Sequence, residues 1–450
     1  MAFPKDFTWG VATASYQIEG AYAQDGRGLS IWDEFVHEGR SFARQTGDVA
    51  ADFYHRYADD LALVSELGIP SFRFSVSWPR VLPGGMANHP NEKGLAFYDR
   101  LIDTMLKHNI TPYLTLYHWD YPAELARRGG WTNPDSSDWY ADYVATVARR
   151  LGDRVKNFIT FNEPACFIGL GYNKGTHAPG QKRSNKELAL MARNVMLAHG
   201  KGVQTLRALV PDAVVGYAPN CGANFPKTNS EADVDAARKS YFTLTEDNWL
   251  MSAAFWSDPV ILGQYPKELE SILGADMPPI LADDFRTMRQ PLDFYGQNIY
   301  SGGCVESDGM GGFRSVRMKE GFARTAIGWP VTPDSLYWAP KFFTERYGLP
   351  FVITENGMSC HDWVSVDGQV HDPNRQDLLC RYLRSLRRAS EEGIDIRGYF
   401  VWTLLDDFEW DTGYNDRFGL IHVDFETQKR TIKDSARWYA EVIRTNGDCL

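Results

Sequence analysis

Hydrophobic positions along the chain alternate between two patterns from one end to the other. Short runs rich in β-branched and aromatic residues at 7–12, 71–77, 111–116, 156–161, 214–218, 294–300, 351–354 and 398–402 predict strands. Between them, apolar residues return at helical spacing over 51–67, 92–107, 138–151, 186–209, 233–255, 336–347, 375–392 and 432–444. In the first of these, Phe53, Tyr57, Leu61 and Val64 recur at steps of four, four and three, and Gly68 follows as a stop. Each helix follows one strand. The alternation predicts an α/β fold, a single (β/α)8 TIM barrel over residues 1–450, because no compositional break or Pro/Gly/Ser linker marks a second domain.

A barrel of this kind places its chemistry where strands end and the following loops begin. Polar and aromatic residues stand at those ends: Gln17 after the first strand, His118 after the third, Asn162 and Glu163 after the fourth, Tyr300 after the sixth, Glu355 after the seventh and Trp402 after the eighth. The segment 301–333, with the pairs Gly302-Gly303 and Gly311-Gly312, is expected to be a long loop that walls a pocket.

Composition narrows the partners. The 14 Trp, 22 Tyr and 25 Phe exceed the needs of a core, and rings that stack on the apolar faces of sugars are one use for the excess. A net charge of −11 without a Lys/Arg run excludes a nucleic-acid partner. No segment approaches the ~20 apolar residues of a membrane span. The start, Met1 to Phe7, lacks a basic segment followed by an apolar one, which gives the expectation of a cytoplasmic protein. Cys166, Cys221, Cys304, Cys360, Cys380 and Cys449 are scattered with no C-x-x-C pair, so buried free thiols are expected rather than a zinc or redox site. The sequence carries no signal for oligomeric state.

Two carboxylates carry the chemistry. Glu163 stands in Thr160-Phe161-Asn162-Glu163-Pro164 and Glu355 in Ile353-Thr354-Glu355-Asn356-Gly357, each ending an apolar strand where a solvated Glu is out of place. The ends of strands four and seven face one another across a barrel. Glycoside hydrolysis needs such a pair, one group to protonate the leaving oxygen and one to attack the anomeric carbon or activate water. A single such Glu would be read as a helix cap or an Arg partner; two at opposed strand ends would not.

These motifs, with Phe7–Glu19, Phe72–Arg80, Leu116-Tyr117-His118-Trp119-Asp120 and Tyr399–Trp410, resemble the signatures of family 1 glycoside hydrolases in family order from residue 7 to about 425. The resemblance implies a (β/α)8 barrel, hydrolysis of terminal β-glycosides with retention, Glu163 as acid/base and Glu355 as nucleophile. It further implies Arg73 beneath the nucleophile and Tyr300 as its hydrogen-bond donor. Gln17, His118, Asn162, Glu409 and Trp410 would hold the sugar hydroxyls, Trp402 would lie under the ring, and Trp329 would carry the leaving group. Substrates would be small β-glycosides or short oligosaccharides, with glucose, galactose and fucose left open, and no cofactor or metal. Two positions depart from the family pattern. Ala165 replaces a common aromatic, expected to widen the leaving-group side, and Asp407 replaces Asn, expected to add charge near the rim.

Three rival readings differ in what they require. A metal-dependent barrel needs several converging His, Asp or Glu ligands, and only one His stands at the strand ends. A silent sugar-binding barrel should have lost a carboxylate, and both are present. A 6-phospho-β-glycosidase is decided at the sugar 6-position, where Glu409 and its acidic neighbours Asp411 and Asp416 argue for a neutral sugar.

Overall fold

The computed structural model describes residues 2–220 and 222–450. Eight parallel strands close into a barrel: β1 (Thr8–Ala12), β2 (Ser71–Ser75), β3 (Thr111–Tyr117), β4 (Asn157–Asn162), β5 (Val214–Ala218), β6 (Phe294–Asn298), β7 (Phe351–Asn356) and β8 (Ile396–Trp402). Each pairs with its neighbours in chain order. β1 also pairs with β8, from Thr8 opposite Gly398 to Ala12 opposite Trp402, which removes both sheet edges. Helices α1 (Phe53–Glu66), α2 (Glu92–Lys107), α3 (Ser136–Leu151), α4 (Asn185–Leu209), α5 (Glu231–Phe242), α6 (Ala253–Ile261), α7 (Ser335–Tyr347), α8 (Pro373–Glu391) and α9 (Asp434–Arg444) occupy the connections and the C-terminal end. α4 starts where Ser184 and Glu187 cap each other reciprocally, which satisfies two amides at the helix start. None of the helices among the described residues is long and apolar enough to cross a membrane.

Alternation along the strands divides the apolar residues into two cores. The larger lies between strands and helices. The smaller fills the barrel itself, with Ile159, Phe294, Val352 and Phe400 packed below Trp402 and against Ala12 and Ala218. Tyr300 and Trp329 extend this inner core upward toward the C-terminal strand ends.

Strict alternation fails at several places, and two of them lead into the carboxylates. In β4, Ile159 pairs with Gly216 but Asn162 pairs with Ala218, so β4 carries one more residue than β5 over that stretch. In β7, Ile353 pairs with Gln297 and Glu355 with Asn298, again one extra residue. A bulge reverses the side to which later residues point. Ile159 therefore faces the barrel interior while Phe161, two residues on, packs outside against Tyr140 at 4.5 Å. Ile353 likewise belongs to the outer core, yet Glu355 turns inward to meet Arg73.

Several expectations are corrected. The helix expected over 233–255 is two, α5 and α6. Thr243 leaves α5 in an extended conformation, and the Asn248 side chain accepts from the Thr245 amide at 2.8 Å, offering the backbone a partner outside the helix. The helix expected from 432 starts at Asp434, because Arg430–Ile432 pairs antiparallel with Ile421–Val423. The segment 301–333 is not all loop: Cys304–Ser307 and Phe313–Ser315 form a hairpin that also pairs with Phe225–Pro226. Asp308 closes its turn by accepting the amides of Met310 and Gly312, and Gly311 supplies the φ of 92° that the turn requires. Free thiols are present, but Cys166, Cys304, Cys360 and Cys380 are half-buried and Cys449 is exposed rather than buried. Cys221 and Met1 lie outside the described residues.

Candidate active site

A cavity of about 350 Å³ opens at the C-terminal ends of the strands. His118, Glu163, Tyr300, Trp329, Glu355, Trp402, Glu409 and Trp410 all line it. Gln17, Arg73 and Asn162 do not; they are fully buried around it and act on residues that do.

Arg73, mid-way along β2, is the centre of the buried polar network. Its guanidinium donates to Glu355 Oε1 at 2.5 Å, the Thr354 carbonyl at 3.1 Å, Asn162 Oδ1 at 2.6 Å and Thr115 Oγ1 at 3.1 Å. Tyr300 donates to the other oxygen of Glu355 at 2.7 Å. Both oxygens of Glu355 thus meet fixed donors. Glu163 has a poorer set, with Asn298 Nδ2 donating to its Oε1 at 2.9 Å.

Unequal hydrogen bonding and charge separate the two acids. Burial, and after it the charge of Glu355, pushes Glu163 up to about 8. Burial raises Glu355 as well, but Arg73 and the Tyr300 hydroxyl oppose it, so Glu355 is the first of the pair to ionise. Tyr300, raised well above its ordinary value by burial and by Glu355, keeps its proton and remains a donor. His118 is held neutral by burial and by Arg73. It lies nearly parallel to Trp402 at 5.6 Å and contacts the Asn162 amide through Nε2 at 3.1 Å.

At the far wall, Gln17 Nε2 donates to Glu409 at 3.1 Å and to Asp407 at 3.4 Å. Burial, then Glu355 and Asp416, raise Glu409 to about 8. Asp407 is not at the rim: it is fully buried behind Glu409, where burial and Glu409 keep it protonated well above the carboxylate range. Ala165 is also misplaced by the sequence reading. It is buried in the outer core, and the residue of that turn facing the cavity is Cys166. Trp329 stands at the mouth, half-buried, 5.1 Å from Tyr300 and 6.0 Å from Phe418. Trp119, Glu163 and Trp410 all have positive φ, 77°, 47° and 48°. Such conformations cost ~1–3 kcal/mol each and cluster at functional sites.

Sequence reasoning missed Asn298. Its amide donates to both Asn162 and Glu163 at 2.9 Å and also favours the charged form of Glu355, while its Oδ1 accepts from Thr354 Oγ1 at 2.6 Å. One amide therefore spans the two acids. The signal available was its place, last in β6 and two residues before Tyr300. His177, 3.6 Å from Asp411 at the mouth, was also missed. Among the described residues no group of three or more His, Cys, Asp or Glu is arranged to hold a metal ion.

A closed parallel barrel with two buried, unequally hydrogen-bonded carboxylates beneath an aromatic-lined cavity defines a barrel glycoside hydrolase. Residues 1–448 match the family model for glycosyl hydrolase family 1, and the chain belongs to that family. It is 43% identical to a 1,4-beta-D-glucan glucohydrolase of Thermotoga neapolitana over 99% of both chains. It is 41% identical to a bifunctional beta-D-glucosidase/beta-D-fucosidase of Bifidobacterium breve over 98% of both. The beta-glucosidase of Thermotoga maritima in complex with glucoimidazole superposes with a TM-score of 0.91 at 41% identity, covering 99% of each chain.

Proposed function

We propose that the protein is a retaining β-glucosidase that releases terminal non-reducing β-D-glucosyl residues from small glycosides and short oligosaccharides by double displacement. Glu355 attacks the anomeric carbon as the carboxylate that Arg73 and Tyr300 hold ionised. Glu163, protonated at rest, gives its proton to the leaving oxygen. Once Glu355 is an ester its charge is gone, the chief electrostatic reason for the raised pKa of Glu163 is removed, and Glu163 can take a proton from the incoming water. Asn162, His118, Gln17, Glu409 and Trp410 are assigned to the sugar hydroxyls, Trp402 to the ring face, and Trp329 to the leaving group. The observation that carries this reading is the asymmetry of the acids: two fixed donors on Glu355, and the higher value, about 8, on Glu163.

Fucosides and galactosides are proposed as secondary substrates. The Bifidobacterium breve relative is named for both glucosidase and fucosidase activity, and the Thermotoga maritima enzyme has been solved with a galacto-hydroximolactam. The test is Glu355→Ala. Turnover should fall by on the order of 10⁴-fold or more, and azide should restore part of it with a glycosyl azide of inverted configuration, because the shortened side chain leaves room beside the anomeric carbon. Near-normal activity in this variant would sink the assignment.

A further inference from the structure

Beside the mouth of the catalytic cavity lies a second, larger one of about 620 Å³, enclosed between the segment after β7 and the segment after β6. Arg324, Ser359, His361, Trp363, Asp372 and Asn374 are among its walls. Trp363 is 69% exposed, and among the described residues it has neither a ring contact nor a hydrogen bond. That is unusual in a chain whose other indoles are largely buried. Around it, His361 and Asn374 are exposed, with no side-chain partner among the described residues. Arg324 spends one N–H on the Gly328 carbonyl at 2.7 Å and joins no ion pair among the described residues. An exposed indole flanked by planar, unengaged hydrogen-bonding groups suits a ligand with apolar faces and a polar perimeter, which a pyranose ring has.

The groove shares a wall with the catalytic cavity. Ser359 accepts the Ala326 amide on its carbonyl at 3.1 Å and the Ile327 amide on its hydroxyl at 2.9 Å, and Ile327 and Trp329 face the catalytic side. Trp329, to which the leaving group is assigned, therefore stands between Trp402 and this wall's side of the cavity mouth.

We propose that the Trp363 groove binds the distal, reducing-side units of a β-linked gluco-oligosaccharide, a saccharide site outside the catalytic cavity; it rests on the β-glucosidase reading of that cavity. Selection would then grow with chain length. The test compares kcat/KM for an aryl β-glucoside, cellobiose and cellohexaose in the wild type, Trp363→Ala and Trp363→Phe, with sedimentation of each. Trp363→Ala should lower the cellohexaose to aryl-glucoside ratio by about two- to ten-fold, the loss of one stacking contact, and should leave the cellobiose to aryl-glucoside ratio in place. Trp363→Phe should keep most of the preference. An equal fall on all three substrates would mean that the loop only braces Trp329 through Ser359, and no change on any would mean an idle ring; either overturns the proposal. A change of oligomeric state in the alanine variant would assign the ring to a second copy and overturn it too. Wild-type protein inactive on all three glucosides would instead overturn the function itself.

Discussion

At Glu163 the burial that makes an acid also sets a limit on pH. With its value raised to about 8, kcat/KM should fall as pH rises through that value, since the leaving oxygen then finds no proton. Glu163→Gln should remove this alkaline limb. It should also slow glycosylation by ~10²–10⁴-fold for poor leaving groups, with little loss for activated aryl glycosides. A rate profile across leaving groups at several pH values checks both; equal loss across leaving groups would count against the acid/base role. Asn298 offers a finer test. Asn298→Ala removes the donor shared between the acids, so both lose a contact that favours their charged forms, and the alkaline limb should move to higher pH. An unmoved limb would leave Asn298 a purely structural role. Glu163 and Glu355 were legible in the sequence because a carboxylate at the end of an apolar strand is out of place. Asn298 was not, since a neutral amide is ordinary there and only the folded chain brings Asn162 and Glu163 within its reach.

The elements themselves were legible because the barrel repeats one unit, and each strand stands out against a helix of different period. Boundaries were lost where local hydrogen bonds compete with the helix, as at Thr243–Asn248, and where the pairing partner is short, as at Arg430. The extra residues in β4 and β7 left no trace in composition. By alternation alone, Glu355 shares the side of Ile353 and would point at the helices. Gly357 completes the same turn: a Cβ there would sit 1.9 Å from the Trp402 carbonyl oxygen. Gly357→Ala should therefore force β7 and β8 apart, costing about 1–3 kcal/mol and lowering kcat by displacing Glu355 and Trp402 together. Thermal melts with a kinetic assay would show both effects; a fully active, fully stable variant would mean that this contact yields without consequence.

Over the whole molecule, the walls of the catalytic cavity offer carboxyl groups and no Lys or Arg to balance them. Arg73, behind the cavity, is committed to Glu355. A sugar 6-phosphate would meet Glu409 and Asp416 with no cation to receive it; kcat/KM for an aryl β-glucoside should exceed that for its 6-phosphate by at least about tens-fold, from ~2–5 kcal/mol for a phosphate charge left without a partner. Equal rates would require a different reading of the glycone pocket. Stability carries the same signature. Asp120, Glu163 and Glu409 are raised to about 8 in the folded state. Their unfolded values are near 4. The folded state holds these protons longer, so their contribution is complete below pH ~4 and lost as pH rises through about 8. Asp120→Asn, away from the cavity lining, should make the fall of Tm between pH 5 and 9 shallower, as calorimetry would show; an unchanged slope would mean that Asp120 is already ionised in the folded protein. The inner core has a final consequence. Its side chains rise in layers from Phe294 and Phe400 to Trp402 and then stop, leaving the cavity where one more layer would lie. A bound glucose unit is then the missing course of the barrel's own masonry, and occupancy and folding are one equilibrium: each tenfold excess of a tight inhibitor over its Kd adds ~1.4 kcal/mol to the fold.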